Sequence, residues 1–155
     1  MENTITQVTS LDAKQYIVVK LGNEQFGIDI QYVENIVRIQ RITRVPKVQN
    51  FFKGVINLRG DIVPVMSLRL KFGLEGEDYT NSTRVIILKP EGKEVLGIVV
   101  DEVKEVVTLE ENQIDKVTYT PSNDNYKYLS GIGKHKDSLI SILNIQSIVV
   151  DKEVL

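Results

Sequence analysis

Apolar residues in this chain fall in short runs that are rich in valine and isoleucine and are separated by glycine-containing turns. Such runs predict β-strands, because branched side chains pack well on a pleated surface and the runs are too short for ordinary helices. The sequence therefore predicts an all-β protein. The predicted strands are residues 15–21, 25–30, 33–39, 55–58, 62–66, 84–89, 95–100, 103–109 and 139–143.

The most informative stretch is residues 54–72, which predict a strand, a tight turn and a second strand. The turn is Arg59-Gly60-Asp61, in which the glycine can adopt a positive φ. The second strand, residues 62–66, is apolar on both faces. A half-buried strand would alternate, so this pattern predicts a strand that is covered on both sides.

The end of this stretch carries further local signals. Pro64 has no N–H for the ladder, which predicts that it lies at a sheet edge or a bulge. Ser67 predicts the N-cap of a short helix over residues 68–72, and Gly73 predicts its end.

Arg59 is unusual because it is a long charged side chain on a tight turn between two apolar strands. One interpretation is a solvated turn arginine. The other is that the turn presents Arg59 to a carboxylate on a partner.

The second half of the chain repeats the pattern of the first half. A shift of 70 superposes residues 26–37 on residues 96–107, and a shift of 77 superposes Gly54 on Gly131 and Ser67 on Asn144. The difference of seven residues predicts an insertion before Gly131. The pairs matched by the first shift include Gly22 and Gly92, Gly27 and Gly97, Ile28 and Ile98, Ile30 and Val100, Val33 and Val103, and Ile36 and Val106.

The repeat predicts two copies of a β unit of about five strands, a size that closes readily as a small barrel. A barrel of about 65 residues buries little surface alone, so we expect the copies to share a core. The strands that are apolar on both faces would then point one face into a barrel and the other toward the neighbouring barrel; they are residues 62–66, 95–100 and 139–143.

The predicted organisation has three parts. Residues 1–14 form a polar tail, residues 15–80 a first barrel subdomain, and residues 81–155 a second barrel subdomain with a C-terminal helix. The boundary falls in the acidic, turn-rich residues 73–82, and strands can still cross between the subdomains.

Composition limits the class of protein. The 155 residues are 42% hydrophobic and 26% charged, as in globular domains, and the net charge of −2 favours neither nucleic acid nor a membrane surface. The chain has no cysteine and no apolar run of membrane-spanning length, and its start does not resemble a signal peptide. We therefore expect a cytoplasmic protein.

Signals for enzymatic chemistry are weak. His135 is the one histidine, and its polar surroundings indicate a solvated turn rather than a metal ligand or a base. No phosphate-binding loop and no activated-serine motif is present. We expect no catalytic residue, no metal, no cofactor and no small-molecule substrate.

Basic residues are concentrated between Arg38 and Lys71, where the single acid is Asp61. Small β-barrels with a basic surface include OB-fold nucleic-acid-binding modules, which is one alternative function. Base stacking needs exposed aromatic residues, and the apolar pair Phe51 and Phe52 is more typical of a core. An acidic protein partner fits the same charge distribution.

Four motifs, in this order, resemble the CheW family of bacterial chemotaxis adaptors. They are F-G-I-D-I-x-x-V-x-x-I, F-x-K-G-V-I-N-L-R-G-D-I-V-P-V, G-I-V-V-D-E-V and Y-L-S-G-I-G. The resemblance extends from about Gln15 to Asp151. It implies two SH3-like five-stranded β-barrels on a shared hydrophobic core, and an adaptor without catalytic activity.

The resemblance also implies partners. A CheW-like protein bridges the cytoplasmic tip of methyl-accepting chemoreceptors and the regulatory domain of the histidine kinase CheA, in arrays at the membrane without inserting into it. The chain shows no phosphotransfer, ATP-binding or receiver segment, which distinguishes it from CheA and from the fused adaptor CheV. Neither nucleic acid nor a small-molecule substrate is expected.

Individual positions follow from the family pattern. Receptor binding is expected at Val33, Ile36, Arg59, Val85, Val103 and Val106, and kinase binding at Ile42, Thr43 and Ile62. A further contact, which closes rings in the array, would follow residues 110–114. At that contact Asp115 and Thr120 depart from the expected residue types, so we leave it unassigned.

Overall fold

The computed structural model describes residues 13–76, 78–92, 94–117 and 127–150. Within these residues the chain forms eleven strands, two short α-helices and two 3-10 turns at Ile30–Tyr32 and Glu111–Gln113. The strands are β1 Ala13–Leu21, β2 Glu24–Asp29, β3 Val33–Arg38, β4 Phe52–Leu58, β5 Asp61–Ser67, β6 Arg84–Leu88, β7 Leu96–Val100, β8 Glu102–Glu110, β9 Ile114–Lys116, β10 Leu129–His135 and β11 Ser138–Leu143, and the α-helices are α1 Leu68–Lys71 and α2 Ile145–Val150.

The strands form two sheets, each wrapped around its own interior. One sheet has the order β8-β1-β2-β11-β10-β9 and the other β3-β6-β7-β5-β4. We call them the six-stranded and the five-stranded barrel. These two strand orders confirm the prediction of two SH3-like barrels. The six-stranded barrel has one additional strand, β9, which is three residues long.

The sheet order shows how the two repeats are joined. Under the two shifts found in the sequence, β8-β1-β2-β11-β10 corresponds strand by strand to β3-β6-β7-β5-β4. The parallel pairing of Ile142 with Gly27 repeats that of Val65 with Gly97. Each barrel therefore combines the first hairpin of one repeat with three later strands of the other repeat.

This exchange departs from a division of the chain near residue 80. Strands β1 and β2 precede that position and pair with β8 and β11, which follow it. Strands β6 and β7 follow it and pair with β3 and β5. The strands therefore do cross between the two subdomains, a possibility that the sequence left open.

Three buried clusters explain why several strands are apolar on both faces. In β1, Tyr16 and Val18 point into the six-stranded barrel, while Ile17 and Val19 join a cluster shared by the two barrels. In β6, Val85 and Ile87 point into the five-stranded barrel. The prediction of a shared core is confirmed by the large middle cluster, which includes Leu21, Phe26, Ile28, Met66, Leu68, Ile86, Leu88, Leu96, Ile98, Val100, Leu143 and Ile148.

The prediction that residues 62–66 and 139–143 are covered throughout is wrong at the first residue of each run. Ile62 is 63% exposed and Leu139 is 62% exposed. The parallel partner of β5 begins only at Val65, and that of β11 only at Ser141. Each hairpin therefore extends beyond the parallel strand beside it, and the apolar side chains at Ile62 and Leu139 are left exposed among the residues that the structure describes.

Both short helices begin as the sequence predicts. The Ser67 hydroxyl accepts a hydrogen bond from the Leu70 N–H at 3.1 Å. The Asn144 side-chain oxygen accepts one from the Ser147 N–H at 3.2 Å. Each cap satisfies an otherwise unpaired N–H of the first turn.

Candidate functional site

The β4–β5 hairpin ends in a two-residue turn formed by Arg59 and Gly60. Their φ angles are +56° and +89°, as in the turn type that matches the twist of antiparallel strands. The Asn57 side-chain oxygen accepts a hydrogen bond from the Gly60 N–H at 2.9 Å. The Arg59 side chain is exposed, and in the described part of the chain no ion pair joins it to Asp61. Asn57 therefore stabilises the turn, and Arg59 is presented to solvent.

The irregular segment before β4 is held against that strand by backbone bonds. The Thr43 N–H donates to the Val55 carbonyl oxygen and the Val55 N–H donates to the Thr43 carbonyl oxygen, each at 2.8 Å. Gly54, at φ +139°, allows this approach, because a Cβ there would lie 2.1 Å from the Thr43 carbonyl oxygen. Any larger residue would displace the segment.

Strand register brings the predicted kinase-binding residues together in one region. Directly paired residues share a face of a sheet, and so do residues two apart on one strand. The pairs Thr43 with Val55, Val55 with Pro64 and Asn57 with Ile62 therefore define one outer face. We call these residues, Thr43, Val55, Asn57, Ile62 and Pro64, the hairpin face.

Ile42 contributes differently from its neighbour Thr43. It is half-buried and packs on the interior cluster of the five-stranded barrel. Only part of its side chain is available to a partner, whereas Ile62 is mostly exposed.

Four of the predicted receptor-binding residues lie on two equivalent edge strands. Val33 and Ile36 are on β3, and Val103 and Val106 are on β8. The two valines Val33 and Val103 pack against the shared core, while Ile36 and Val106 are 37% and 50% exposed. Each strand thus offers one anchored and one exposed apolar residue.

The structure departs from the prediction at Val85. Its side chain has no exposed surface, because on β6 it points into the interior cluster of the five-stranded barrel. It pairs with Val37 of β3, so it supports the edge strand from within. Val85 is therefore a packing residue and not a contact residue.

Two exposed residues on the other barrel were missed by the sequence interpretation. Leu139 and Lys136 on the β10–β11 hairpin are the repeat partners of Ile62 and Arg59, and Lys136 has the same φ of +56° as Arg59. The shift of 77 already pairs Ile62 with Leu139 and Arg59 with Lys136, but the sequence comparison used it for the strands and not for the turn.

Arg69 and Asp101 form a second group that the sequence interpretation missed. The Asp101 carboxylate accepts hydrogen bonds from the Arg69 guanidinium at 2.8 Å and from the Gly22 N–H at 2.7 Å. The Arg69 Nε–H also donates to the Glu75 carbonyl oxygen at 2.8 Å. Through Asp101, these bonds tie α1, which follows β5, to the β1–β2 turn of the other barrel.

The described residues offer little that indicates catalysis. They contain no group of three or more His, Cys, Asp and Glu side chains that could hold a metal ion. Burial, and to a lesser degree the neighbouring Asp29 carboxylate, raises the pKa of Tyr16 above its usual value of 10.0. In the described ranges, no helix has the length and apolar character to cross a membrane.

Comparison with known proteins decides the family. A family model for the CheW-like domain matches residues 15–153. The chain belongs to the CheW-like family. Chemotaxis protein CheW of Klebsiella aerogenes is 36% identical over 140 residues, which cover 90% of this chain and 84% of that protein. Chemotaxis protein CheW of Helicobacter pylori is 37% identical over 135 residues, which cover 87% and 81%.

A solved structure agrees with this assignment. The scaffolding protein TtCheW from Thermoanaerobacter tengcongensis is 35% identical and superposes with a TM-score of 0.75, covering 84% of this chain and 83% of that one. Membership of the CheW-like family makes the chain a chemotaxis adaptor and does not support the alternative of a nucleic-acid-binding function.

Proposed function

We propose that this CheW-like protein couples chemoreceptors to the histidine kinase CheA by binding each through a different surface. The observation that supports this is the presence of two separate exposed apolar surfaces. One is the hairpin face, centred on Ile62, and the other comprises Ile36 and Val106 at equivalent positions of the edge strands β3 and β8, whose residues Val33 and Val103 pack on the same shared core. An adaptor needs at least two such surfaces, whereas a simple binding module needs one.

The hairpin face is the proposed site for the regulatory domain of CheA. Ile62 supplies an exposed apolar centre, and Thr43 lies on the same face. Large apolar residues at the centre of an interface commonly dominate its binding energy. The hairpin is also well fixed, because the Thr43–Val55 bonds hold the middle of β4 and the Asn57–Gly60 bond holds the turn.

The edge-strand surface is the proposed site for the cytoplasmic tip of the receptor. A helix of the tip would place apolar residues against Val33, Ile36, Val103 and Val106. Arg59 would bind a carboxylate or the last carbonyls of that helix. Leu58, next to Arg59, and Val37 of β3 both pack on the interior cluster of the five-stranded barrel, which supports placing both features on that barrel.

The proposed role includes no catalysis. The chain would act by holding two partners in a fixed geometry, in the cytoplasm and in arrays of membrane-bound receptors. ATP hydrolysis or phosphotransfer by the purified chain, abolished by a point mutation in it, would contradict this.

The function is tested by two separate binding experiments. Purified chain is mixed with the regulatory domain of CheA in one, and with a receptor-tip fragment in the other, and binding is measured by pull-down and titration. Binding to each partner, and to both at once, is expected. The adaptor role would be refuted if the chain failed to bind even one of the two partners.

A further inference from the structure

A surface pocket of about 560 Å³ lies between residues 40–44 and the start of β4. Its floor includes the buried ring of Phe52 and the half-buried side chain of Ile42. Its rim carries the basic residues Arg41, Arg44 and Lys53. The lining also includes Ile42 and Arg44, the chain neighbours of Thr43, and Lys53 lies two residues from Val55, so the pocket lies next to the hairpin face.

The described residues that line the pocket include three basic side chains and no acidic one. Residues 35–60 contain six basic residues and no acidic one, although the whole chain has a net charge of −2. Arg41 and Arg44 are exposed, and within the described ranges no ion pair involves either of them. A positive rim beside an apolar centre attracts a partner of opposite charge.

We infer that this pocket binds carboxylate side chains of the protein that docks on the hairpin face. The partner surface then has an apolar residue that meets Ile62, with at least two acidic residues beside it. This inference rests on the proposed function, since it describes the recognition of the kinase regulatory domain at that same surface.

The local backbone suits such a role. The two Thr43–Val55 bonds fix the segment that carries both arginines, and the close approach at Gly54 leaves it little room to shift. A guanidinium can bind a carboxylate through two parallel hydrogen bonds, and a fixed backbone reduces the entropy lost when it does so.

The same basic residues could attract nucleic acid, but the surface favours a protein. Phe51 and Phe52 are 9% and 7% exposed, so neither ring offers a face on which bases could stack. The exposed apolar centre is Ile62, an aliphatic side chain.

The experiment measures the association rate and the affinity of the full chain for the CheA regulatory domain at about 30 mM and about 300 mM salt, because the distance over which charges act falls from roughly 18 Å to roughly 6 Å between them. The test variant is Arg41→Glu/Arg44→Glu. The control is Lys89→Glu/Lys116→Glu, which makes the same change of net charge at exposed positions outside the pocket. Thermal melts of each variant, and binding of single-stranded DNA, are measured in parallel.

At low salt, we expect the test variant to associate at least about tenfold more slowly than the wild type and to lose most of the dependence of that rate on salt. The control should keep the wild-type rate and its salt dependence. Equal rates for the wild type and the test variant, with binding otherwise intact, would overturn the inference and leave the adaptor role standing. So would an equal loss in the control, or DNA binding that the test variant abolishes while kinase binding is unchanged. No binding by the wild type would refute the proposed function itself.

Discussion

Replacing Ile62 should weaken binding to the kinase regulatory domain while leaving the fold intact. Burying an isoleucine side chain completely is worth about 1.5–3 kcal/mol. Ile62 is 63% exposed in the free protein. Docking can therefore gain at most about 1–2 kcal/mol from this side chain, which corresponds to roughly 5- to 25-fold in Kd. We expect a loss of this size for Ile62→Ala.

Ile62→Glu should cost more than Ile62→Ala, because it also places a carboxylate in an apolar interface. The added penalty of an unpaired buried charge should bring the total to about 100-fold or more in Kd. Stability should change by no more than about 0.5 kcal/mol, as for other exposed positions. Titration calorimetry with the regulatory domain gives the Kd, and a thermal melt of the variant alone gives the stability.

Two control variants distinguish the loss of a specific contact from a general loss of stability. Leu139→Glu changes a residue that is 62% exposed at the equivalent position of the other barrel, and it should leave binding of the isolated regulatory domain unchanged. Ile56→Ala changes a residue that is 1% exposed on the same hairpin and should cost about 2–5 kcal/mol of stability. Wild-type affinity for Ile62→Glu, or a melting temperature as low as that of Ile56→Ala, would refute the reasoning.

Three further predictions concern other positions. Arg59→Ala should uncouple receptor control from kinase activity in a reconstituted ternary complex, should lower the free energy of unfolding by less than about 1 kcal/mol, and should be partly rescued by Arg59→Lys. Lys136→Ala is the matched control, and full receptor stimulation of the kinase with Arg59→Ala would contradict a coupling role. Gly54→Ala should lower the melting temperature far more than Gly60→Ala, because both have positive φ but only Gly54 meets a backbone oxygen; equal losses would show that the close approach is unimportant. The raised pKa of Tyr16 implies stability that is full below about pH 10 and declines as the pH rises through the folded-state pKa. Tyr16→Phe should flatten that decline in melts above pH 10, and an unchanged decline would assign it to other groups.

Much of the local structure could be predicted from the sequence. Nine of the eleven strands that the structure describes, the turn at Gly60 and the Ser67 cap were predicted because neighbouring residues determine them, whereas β9 and β10 were not predicted. The internal repeat was visible for the same reason. Sequence repeats carry the apolar pattern of each strand, and that pattern is preserved between the copies.

The candidate site was predicted less completely, because exposure depends on distant strands. Val85 and Ile62 are both apolar residues of predicted strands, yet one is fully buried and the other 63% exposed. The difference arises from where the parallel partner β7 begins beside β5 and from which way the β6 side chain points. Neither fact is encoded in the local pattern.

The sequence by itself determined most of the strands, the β4–β5 hairpin and the existence of two equivalent units. Only the tertiary structure decided that the units exchange their first hairpins, so that β1 and β2 complete one barrel and β6 and β7 the other. The physical reason is the repeat itself. Because β2 and β7 have equivalent apolar faces, the pattern fits pairing within a copy as well as pairing between copies. The choice therefore depends on packing across the whole shared core, which no local signal records.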